Sequence, residues 1–114
     1  MKKLLALAFF SLTASAAQLE TPNYLIDITV ACAEGNISCD RVVYEGRSKE
    51  SGRTITLDGR TWHTRCADGA TPCRFLGYRF DNGDTTYYVH EDGRLQVIRG
   101  CDDVLVNEQG TWRY

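Results

Sequence analysis

His63 is the first residue to consider for chemistry, because imidazole is the commonest general base in enzymes at neutral pH. The chain has a second histidine, His90, which directly precedes an acidic turn. A histidine base needs an orienting acid and a nucleophile within reach. Ser48 and Ser51 lie in the polar segment RSKESGR, and nothing in the sequence connects them to His63. We therefore predict no catalytic residue and no enzyme activity, and we interpret both histidines as solvated surface residues.

A second group of residues has the side-chain types that dominate protein–protein contacts, where tyrosine and arginine carry much of the binding energy. Tyr88 is predicted on the solvent face of its strand, with Arg79 and Thr86 close by. His63 is predicted on the polar side of its own hairpin. The sequence thus offers Tyr88, Arg79, Thr86 and His63 as a candidate binding face. The alternative is that Tyr88 is an ordinary strand residue with high β propensity.

Four of the five cysteines form two matched segments, CAEGNISC from Cys32 to Cys39 and CADGATPC from Cys66 to Cys73. The spacing predicts two disulfides, Cys32–Cys39 and Cys66–Cys73, each closing a small loop between two strands. Other pairings stay open. A zinc site is disfavoured, because cysteine ligands of zinc are usually separated by two to four residues.

The fifth cysteine, Cys101, has no predicted partner and lies in a turn-like segment, GCDD. Two interpretations stay open: an inert unpaired thiol, and an intermolecular disulfide that makes a covalent dimer. The closed loops are further candidates for contact, over Glu34–Ser38 and Asp68–Pro72, because rigid loops lose little entropy on binding.

Two acidic turns, at residues 81–84 and 91–93, have the clustered oxygens that calcium prefers. Neither follows the EF-hand spacing, and hairpin turn chemistry explains both. No phosphate-binding glycine loop is present in the sequence. We predict no metal site and no cofactor.

Short alternating segments bounded by Asn-Gly and Asp-Gly indicate antiparallel strands joined by tight turns. We predict an all-β fold, a small single domain of about seven or eight short antiparallel strands in meander order, stapled by disulfides. A curled sheet, an open barrel and a sandwich all fit this pattern. The last strand is expected over residues 104–107, with Trp112 closing the core.

The first Asp-Gly pair, Asp58–Gly59, predicts a two-residue hairpin turn. Ile55 would then lie opposite Trp62. Ile55, Leu57 and Trp62 would share the core face of that hairpin.

The Asn82–Gly83 pair predicts a second two-residue turn. This register places Phe80 opposite Thr85 and Tyr78 opposite Tyr87. One face of the hairpin is then apolar, and Tyr78 and Tyr87 belong to the core.

The third turn is predicted to be a three-residue loop over residues 91–93, with Gly93 in the left-handed region. This length places Val89 opposite Leu95 and Tyr87 opposite Val97. A two-residue turn would bring polar residues to the apolar face, because a shift of one residue moves every side chain to the other face.

Residues 1–16 have the features of a secretory signal peptide: a positive start, an apolar run over 4–12 and small residues at 14–16. The apolar run is too short to span a bilayer. Cleavage is predicted after Ala16, with Ala17 as the alternative. Residues 17–114 then form one secreted domain in the periplasm or medium of a bacterium, with no membrane insertion.

The predicted mature chain is acidic, since loss of Lys2 and Lys3 leaves 11 basic and 15 acidic residues and a net charge of about −4. A nucleic-acid partner is disfavoured, because no basic cluster is visible. These features favour a small module that binds another protein, such as an inhibitor of a hydrolase (for example lysozyme) or an immunity factor. An acidic surface suits a basic target. The alternative is an envelope protein that binds a small ligand, a glycan or calcium.

Overall fold

The computed structural model describes residues 15–32 and 38–113, and these residues form nine β-strands and no helix. The strands are β1 Ser15–Glu20, β2 Tyr24–Val30, β3 Val42–Ser48, β4 Thr54–Arg65, β5 Pro72–Asn82, β6 Thr85–His90, β7 Arg94–Arg99, β8 Asp103–Gln109 and β9 Thr111–Arg113. All paired neighbours are antiparallel and follow chain order from β1 to β8. The predicted all-β meander is confirmed, with one strand more than expected. A membrane-spanning helix is not found among the residues described.

The last two strands curl the sheet into a nearly closed barrel. Only Gly110 separates β8 from β9, and β8 pairs with β7 whereas β9 pairs with β1. Trp112 of β9 lies opposite Leu19 of β1 and packs against the core, as predicted. Its indole nitrogen donates a hydrogen bond to the carbonyl oxygen of Glu91, at 2.7 Å. The C-terminal strand β9 thus pairs with β1 and, through Gly110, connects it to β8.

The core lies inside the barrel, where alternate residues of each strand point inward. Buried apolar residues come from β1 to β7: Leu19, Ile26, Ile28, Val42, Tyr44, Leu57, Phe80, Val89, Leu95 and Val97. Tyr78 and Tyr87 pack against this cluster, which confirms their predicted place in the core.

The three-residue loop over residues 91–93 is confirmed. Val89 lies opposite Leu95 and Tyr87 lies opposite Val97, as the apolar pattern required. Gly93 has a φ of +96°, a backbone conformation that side-chain-bearing residues rarely adopt. Its N–H donates to the carbonyl oxygen of His90, at 2.9 Å.

The predicted pairing at Asn82–Gly83 is wrong by two residues. Asn82 pairs with Thr85, so the two turn residues are Gly83 and Asp84. Phe80 consequently lies opposite Tyr87, not Thr85. This register brings two aromatic rings together inside the barrel, a better cross-strand pair than phenylalanine with threonine. A shift of two residues leaves both faces of the hairpin as predicted.

The predicted turn at Asp58–Gly59 is also wrong, because β4 continues through it as one strand of 12 residues. The chain turns earlier, after Ser48, where Gly52 has a φ of +75° and its N–H donates to the Ser48 carbonyl oxygen at 2.9 Å. Gly59 serves another purpose, since a Cβ there would lie 2.1 Å from the carbonyl oxygen of Arg79 on β5. This glycine permits the close approach of two strands.

Because β4 is one continuous strand, Trp62 also lies on a different face from the one predicted. Leu57 is buried and Ile55 packs against the core, but their face of β4 does not include Trp62. The indole ring instead contacts Tyr88 and His90 on the outer surface of the barrel. The prediction that Trp62 belongs to the core face is therefore wrong, because side chains alternate through residue 59 without a reversal.

Both predicted disulfides are present, and each joins the ends of the loop between consecutive strands. The Cα–Cα distances are 5.9 Å for Cys32–Cys39 and 5.1 Å for Cys66–Cys73. Cys101 is unpaired and exposed in the turn between β7 and β8. The two intrachain bridges indicate an oxidising compartment, such as the periplasm or the extracellular medium.

The predicted signal peptide, residues 1–16, lies outside the described residues except for Ser15 and Ala16. These two residues begin β1 and pair with Val30 and Thr29. Cleavage after Ala16 leaves the rest of β1 in the mature chain, including the fully buried Leu19. The predicted cut stays a prediction.

Candidate functional site: an arginine–aromatic face

A row of large polar and aromatic side chains crosses the outer surface of β4, β5 and β6. Arg60 lies directly opposite Arg79, and Arg79 lies directly opposite Tyr88. Their sequence neighbours point into the barrel, as the buried Phe80 shows. These side chains therefore project outward, together with their neighbours along the strands. We call the group the arginine–aromatic face, and its members are Arg60, Trp62, Arg79, Tyr88 and His90.

The aromatic rings of this face contact one another across β5. The ring of Trp62 lies 5.1 Å from that of Tyr88 and 5.3 Å from that of His90, measured between centroids. Gly77 pairs with both Trp62 and His90, so no side chain separates the two rings. His90 is fixed further by Gln96, whose side-chain oxygen is 2.6 Å from the imidazole Nε2. The aromatic half of the face is therefore held in place before any partner arrives.

The two arginines place like charges next to each other, and one carboxylate offsets them. Asp81 lies 3.6 Å from Arg60 and 3.6 Å from Arg79, through different oxygens. The guanidinium of Arg79 also lies 5.7 Å from the centre of the Tyr88 ring, within the range of a cation–π contact. The two guanidinium groups thus share one exposed carboxylate.

Arg79 contains a polar atom that lacks a hydrogen bond. Its Nε is shielded from solvent and has no hydrogen-bond partner among the described residues, since Asp81 is too distant at 3.6 Å. A shielded donor without an acceptor is unfavourable by roughly 1–3 kcal/mol. An incoming carboxylate that engages the guanidinium, with a small rotation of the side chain, would supply that acceptor.

A polar cleft of about 310 Å³ adjoins the face. It is lined by Ser38, Arg60, Thr61, Trp62, His63, Thr64, Arg65, Pro72 and Arg79. Three of these residues are arginines, which adds positive charge beside the aromatic rings. The cleft extends the face toward the second disulfide loop.

The predicted binding residues fall in two places. Arg79 and Tyr88 are in contact within the face, and Thr86 follows on the same side of β6, with its hydroxyl donating to Asp81 at 3.5 Å. His63 lines the polar cleft, but its ring packs against Phe75 at 5.5 Å and not against Tyr88. The structure therefore groups three of the four predicted residues and sets His63 beside them.

Sequence reasoning missed the other members of the face. The mistaken turn at Asp58–Gly59 led to the prediction that Trp62 lies in the core, and Arg60 was not among the predicted binding residues. His90 was predicted as a solvated surface residue. Treatment of residues 54–65 as one alternating strand would have placed Arg60 and Trp62 outside.

The second stapled loop is ordered by its own acidic residue. The Asp68 carboxylate accepts hydrogen bonds from the Thr71 hydroxyl and from the backbone N–H groups of Ala70 and Thr71, the latter two at 2.9 Å. These bonds, above all that of the Thr71 hydroxyl, lower the pKa of Asp68 to about 2. Of the other candidate loop, Glu34–Ser38, only Ser38 is among the described residues.

The pKa of Asp68 yields a prediction for acid pH. Since the folded pKa is about 2 and the ordinary value is 3.8, the carboxylate should hold the loop above pH 4 and release it as the pH falls toward 2. NMR titration of the side-chain carboxyl carbon measures this midpoint directly. Thr71→Val, which removes the hydroxyl donor, is expected to raise it. A midpoint near 3.8 in the native protein would contradict the hydrogen bonding described here.

The acidic turns considered for calcium engage protein groups instead. Asp81 forms ion pairs with Arg60 and Arg79, and Asp92 accepts a hydrogen bond from the Arg94 N–H at 3.1 Å. Over residues 15–32 and 38–113 there is no cluster of three or more His, Cys, Asp or Glu side chains able to hold a metal ion.

The fold and this face define a small disulfide-bonded β-barrel with a patch of arginine and aromatic side chains on its outer surface. Comparison of the chain with protein-family models, curated protein sequences and solved structures gave no match.

Proposed function

We propose that this protein is an exported binding module that docks its arginine–aromatic face against carboxylates on a partner protein. The observation that carries the proposal is the juxtaposition of Arg60 and Arg79 with the contacting rings of Trp62 and Tyr88. Tryptophan, tyrosine and arginine are the residues most enriched at interface hot spots. Here they form one continuous surface on three paired strands.

Carboxylates are the partner groups that this chemistry favours. The planar guanidinium of arginine forms two parallel hydrogen bonds to a carboxylate, which gives both attraction and orientation. Arg79 is backed by the Tyr88 ring and has an unsatisfied Nε, so its guanidinium is partly desolvated and partly pre-positioned. An arginine whose side chain packs against neighbouring groups loses less entropy on binding than one that extends freely into water.

The partner class we favour is a hydrolase with paired carboxylates in its cleft, such as lysozyme. Most glycoside hydrolases act through two carboxyl groups that flank the scissile bond. An arginine inserted between them would pair with both and exclude the substrate. The acidic balance of the rest of the chain would steer it toward a basic enzyme at long range. An immunity factor against a delivered toxin would use the same face in the same way.

Secretion to the bacterial periplasm is part of this proposal. The two intrachain disulfides support it, because such bridges persist in oxidising compartments. The leader-like residues 1–16 support it independently. In that compartment an exported hydrolase inhibitor would meet its target directly.

The first test is a titration of a c-type lysozyme with the mature protein, followed by calorimetry and by lysis of a cell-wall suspension. We expect binding with inhibition, and we expect Arg79→Ala to weaken the binding about thirty-fold, the size of a hot-spot loss of about 2 kcal/mol. Arg47→Ala is the matched control, because Arg47 is exposed on the outer face of β3 and outside the arginine–aromatic face.

Two results would count against the proposal. Native protein without affinity for lysozyme would exclude that enzyme as the partner. Binding that Arg47→Ala weakens as much as Arg79→Ala would show a general charge effect, with no role for this face.

A further inference from the structure

The interior of the barrel contains a cavity that core packing does not fill. It has a volume of about 580 Å³ and lies between inward-facing residues of β2, β3, β4, β6, β7 and β8. Part of its wall is aliphatic and is formed by Ile55, Leu95, Val97 and Val106. A barrel of about eight strands is just wide enough to be filled by side chains or to hold one small ligand. This volume is in the range of sites that bind drug-sized molecules.

Three tyrosines bring polar groups into this apolar cavity: Tyr24, Tyr44 and Tyr87. The rings of Tyr44 and Tyr87 are 5.3 Å apart, and Tyr44 is only 2% exposed. None of the three hydroxyls is hydrogen-bonded to another described residue. Burial, with a smaller effect of the two neighbouring tyrosines, raises the pKa of Tyr44 far above its ordinary range, so its phenol stays a neutral donor.

Tyr24 and Tyr87 are half-buried, and their hydroxyls line the same cavity as that of Tyr44. A tyrosine hydroxyl can both donate and accept a hydrogen bond, so the three give the cavity a few polar contact points for a guest molecule. An aliphatic wall with few convergent polar groups is the usual construction of a small-molecule site.

The open end of the cavity lies at the β3–β4 turn. Ser48, Ser51 and Arg53 line this end, and Arg53 is the charged residue among the residues that line the cavity. The ring of Tyr44 lies over Gly46, since a Cβ there would come within 2.7 Å of the Tyr44 hydroxyl oxygen. That hydroxyl is therefore directed along β3 toward the Arg53 end. Polar groups and the positive charge of Arg53 therefore lie at the mouth.

A second feature of the mouth is exposed apolar surface. Leu105 lines the cavity and is 47% exposed. An apolar residue at the rim of an apolar cavity favours the approach of an apolar molecule.

We propose that the barrel binds a monocarboxylic amphiphile, with its apolar body among the aliphatic walls and its carboxylate at the mouth, where Arg53 and the Tyr44 hydroxyl lie. The arrangement matches this class at both ends. A wholly apolar guest would leave the hydroxyls unpaired, and a wholly polar one would fail to replace water along the walls. This site is separate from the arginine–aromatic face, which lies on the outer surface.

The test uses the mature protein and two probes of equal chain length, dodecanoate and dodecanol, below their aggregation concentrations. Each is titrated against the protein by displacement of the fluorescent amphiphile 1-anilinonaphthalene-8-sulfonate. We expect dodecanoate to bind at least ten-fold more tightly than dodecanol. Arg53→Ala should remove that preference, whereas Arg47→Ala, on the outer face of β3 and away from the cavity lining, should leave both affinities unchanged.

Two further variants locate the site inside the barrel. Ile55→Trp, which fills the cavity, should abolish binding of both probes. If that variant does not fold, Tyr44→Phe provides a milder test because it removes a single oxygen atom. This substitution should weaken the binding of dodecanoate several-fold. Failure of the native protein to bind dodecanoate, or undiminished binding by folded Ile55→Trp, would overturn the proposal. Neither result depends on whether the outer face binds a protein.

Discussion

Gly59→Ala is expected to destabilise the barrel by about 3 kcal/mol or more, because the added methyl group has no space. Its Cβ would lie 2.1 Å from the carbonyl oxygen of Arg79 and 2.4 Å from Cδ1 of Phe80. Neither neighbour can move freely. The first belongs to the paired backbone of β5, and the second is a fully buried ring. Relief would require separation of β4 from β5 at the centre of the sheet.

Gly52→Ala is the matched control for this effect. Gly52 has a φ of +75° in the β3–β4 turn, but an added Cβ would meet nothing within 4 Å. This substitution should lower the free energy of unfolding by only about 1–2 kcal/mol, because alanine is unfavourable in the left-handed backbone conformation. Urea unfolding of the two variants measures both losses. If Gly59→Ala is no less stable than Gly52→Ala, the close approach of β4 and β5 is not as described.

Removal of the two disulfides is expected to have unequal effects. Both bridges span the same sequence separation of 7, so the chain-entropy contribution is the same for each, about 2–3 kcal/mol. Cys39 is buried in the core, whereas Cys73 is exposed. The double variant Cys32→Ala/Cys39→Ala should therefore lose about 1 kcal/mol more than Cys66→Ala/Cys73→Ala, because it also loses packing.

A backbone contact adds to this difference. The Cys39 N–H donates to the Thr61 hydroxyl at 2.8 Å, and the Cys39 carbonyl accepts from the Thr61 N–H at 2.7 Å. The first bridge thus holds its loop against β4 as well as closing it. Urea unfolding under non-reducing conditions, with Cys101→Ser in every protein to prevent exchange, gives the comparison. Equal losses would show that the burial of Cys39 does not contribute.

Much of the fold could be predicted because short-range rules determine it. The disulfide pairing follows from two equal spacings, and the loop at 91–93 follows from the alternation of Val89, Leu95 and Val97. Each depends on residues close together in the chain. The nearly closed barrel was not distinguished from other sheets, since closure depends on the pairing of β9 with β1 across the whole chain.

The misplaced turn shows where local rules fail. Asp-Gly is a strong hairpin signal, but at Asp58–Gly59 the glycine is required by a strand that follows about twenty residues later in the sequence. Nothing near Gly59 indicates that contact. Because of the mistaken turn, Trp62 was predicted in the core, whereas it lies on the outer surface.

The candidate sites were predictable to different degrees. Tyr88 and Arg79 were found because the register of β5 and β6 preserved their faces. Trp62 and Arg60 were not, because they depended on the wrong turn. The interior cavity has no sequence signature, since it arises from the volumes of side chains on six strands.

Capture of a partner from the periplasm would show directly whether the arginine–aromatic face binds another protein. Tagged native protein and Arg60→Ala/Arg79→Ala would be exported in parallel and purified without reductant, with Arg47→Ala as control. Mass spectrometry would then quantify what each retains. We predict one stoichiometric partner with native protein and with Arg47→Ala, absent from the double variant. A partner retained equally by all three proteins, or by none of them, would show that the arginine–aromatic face is not the binding surface.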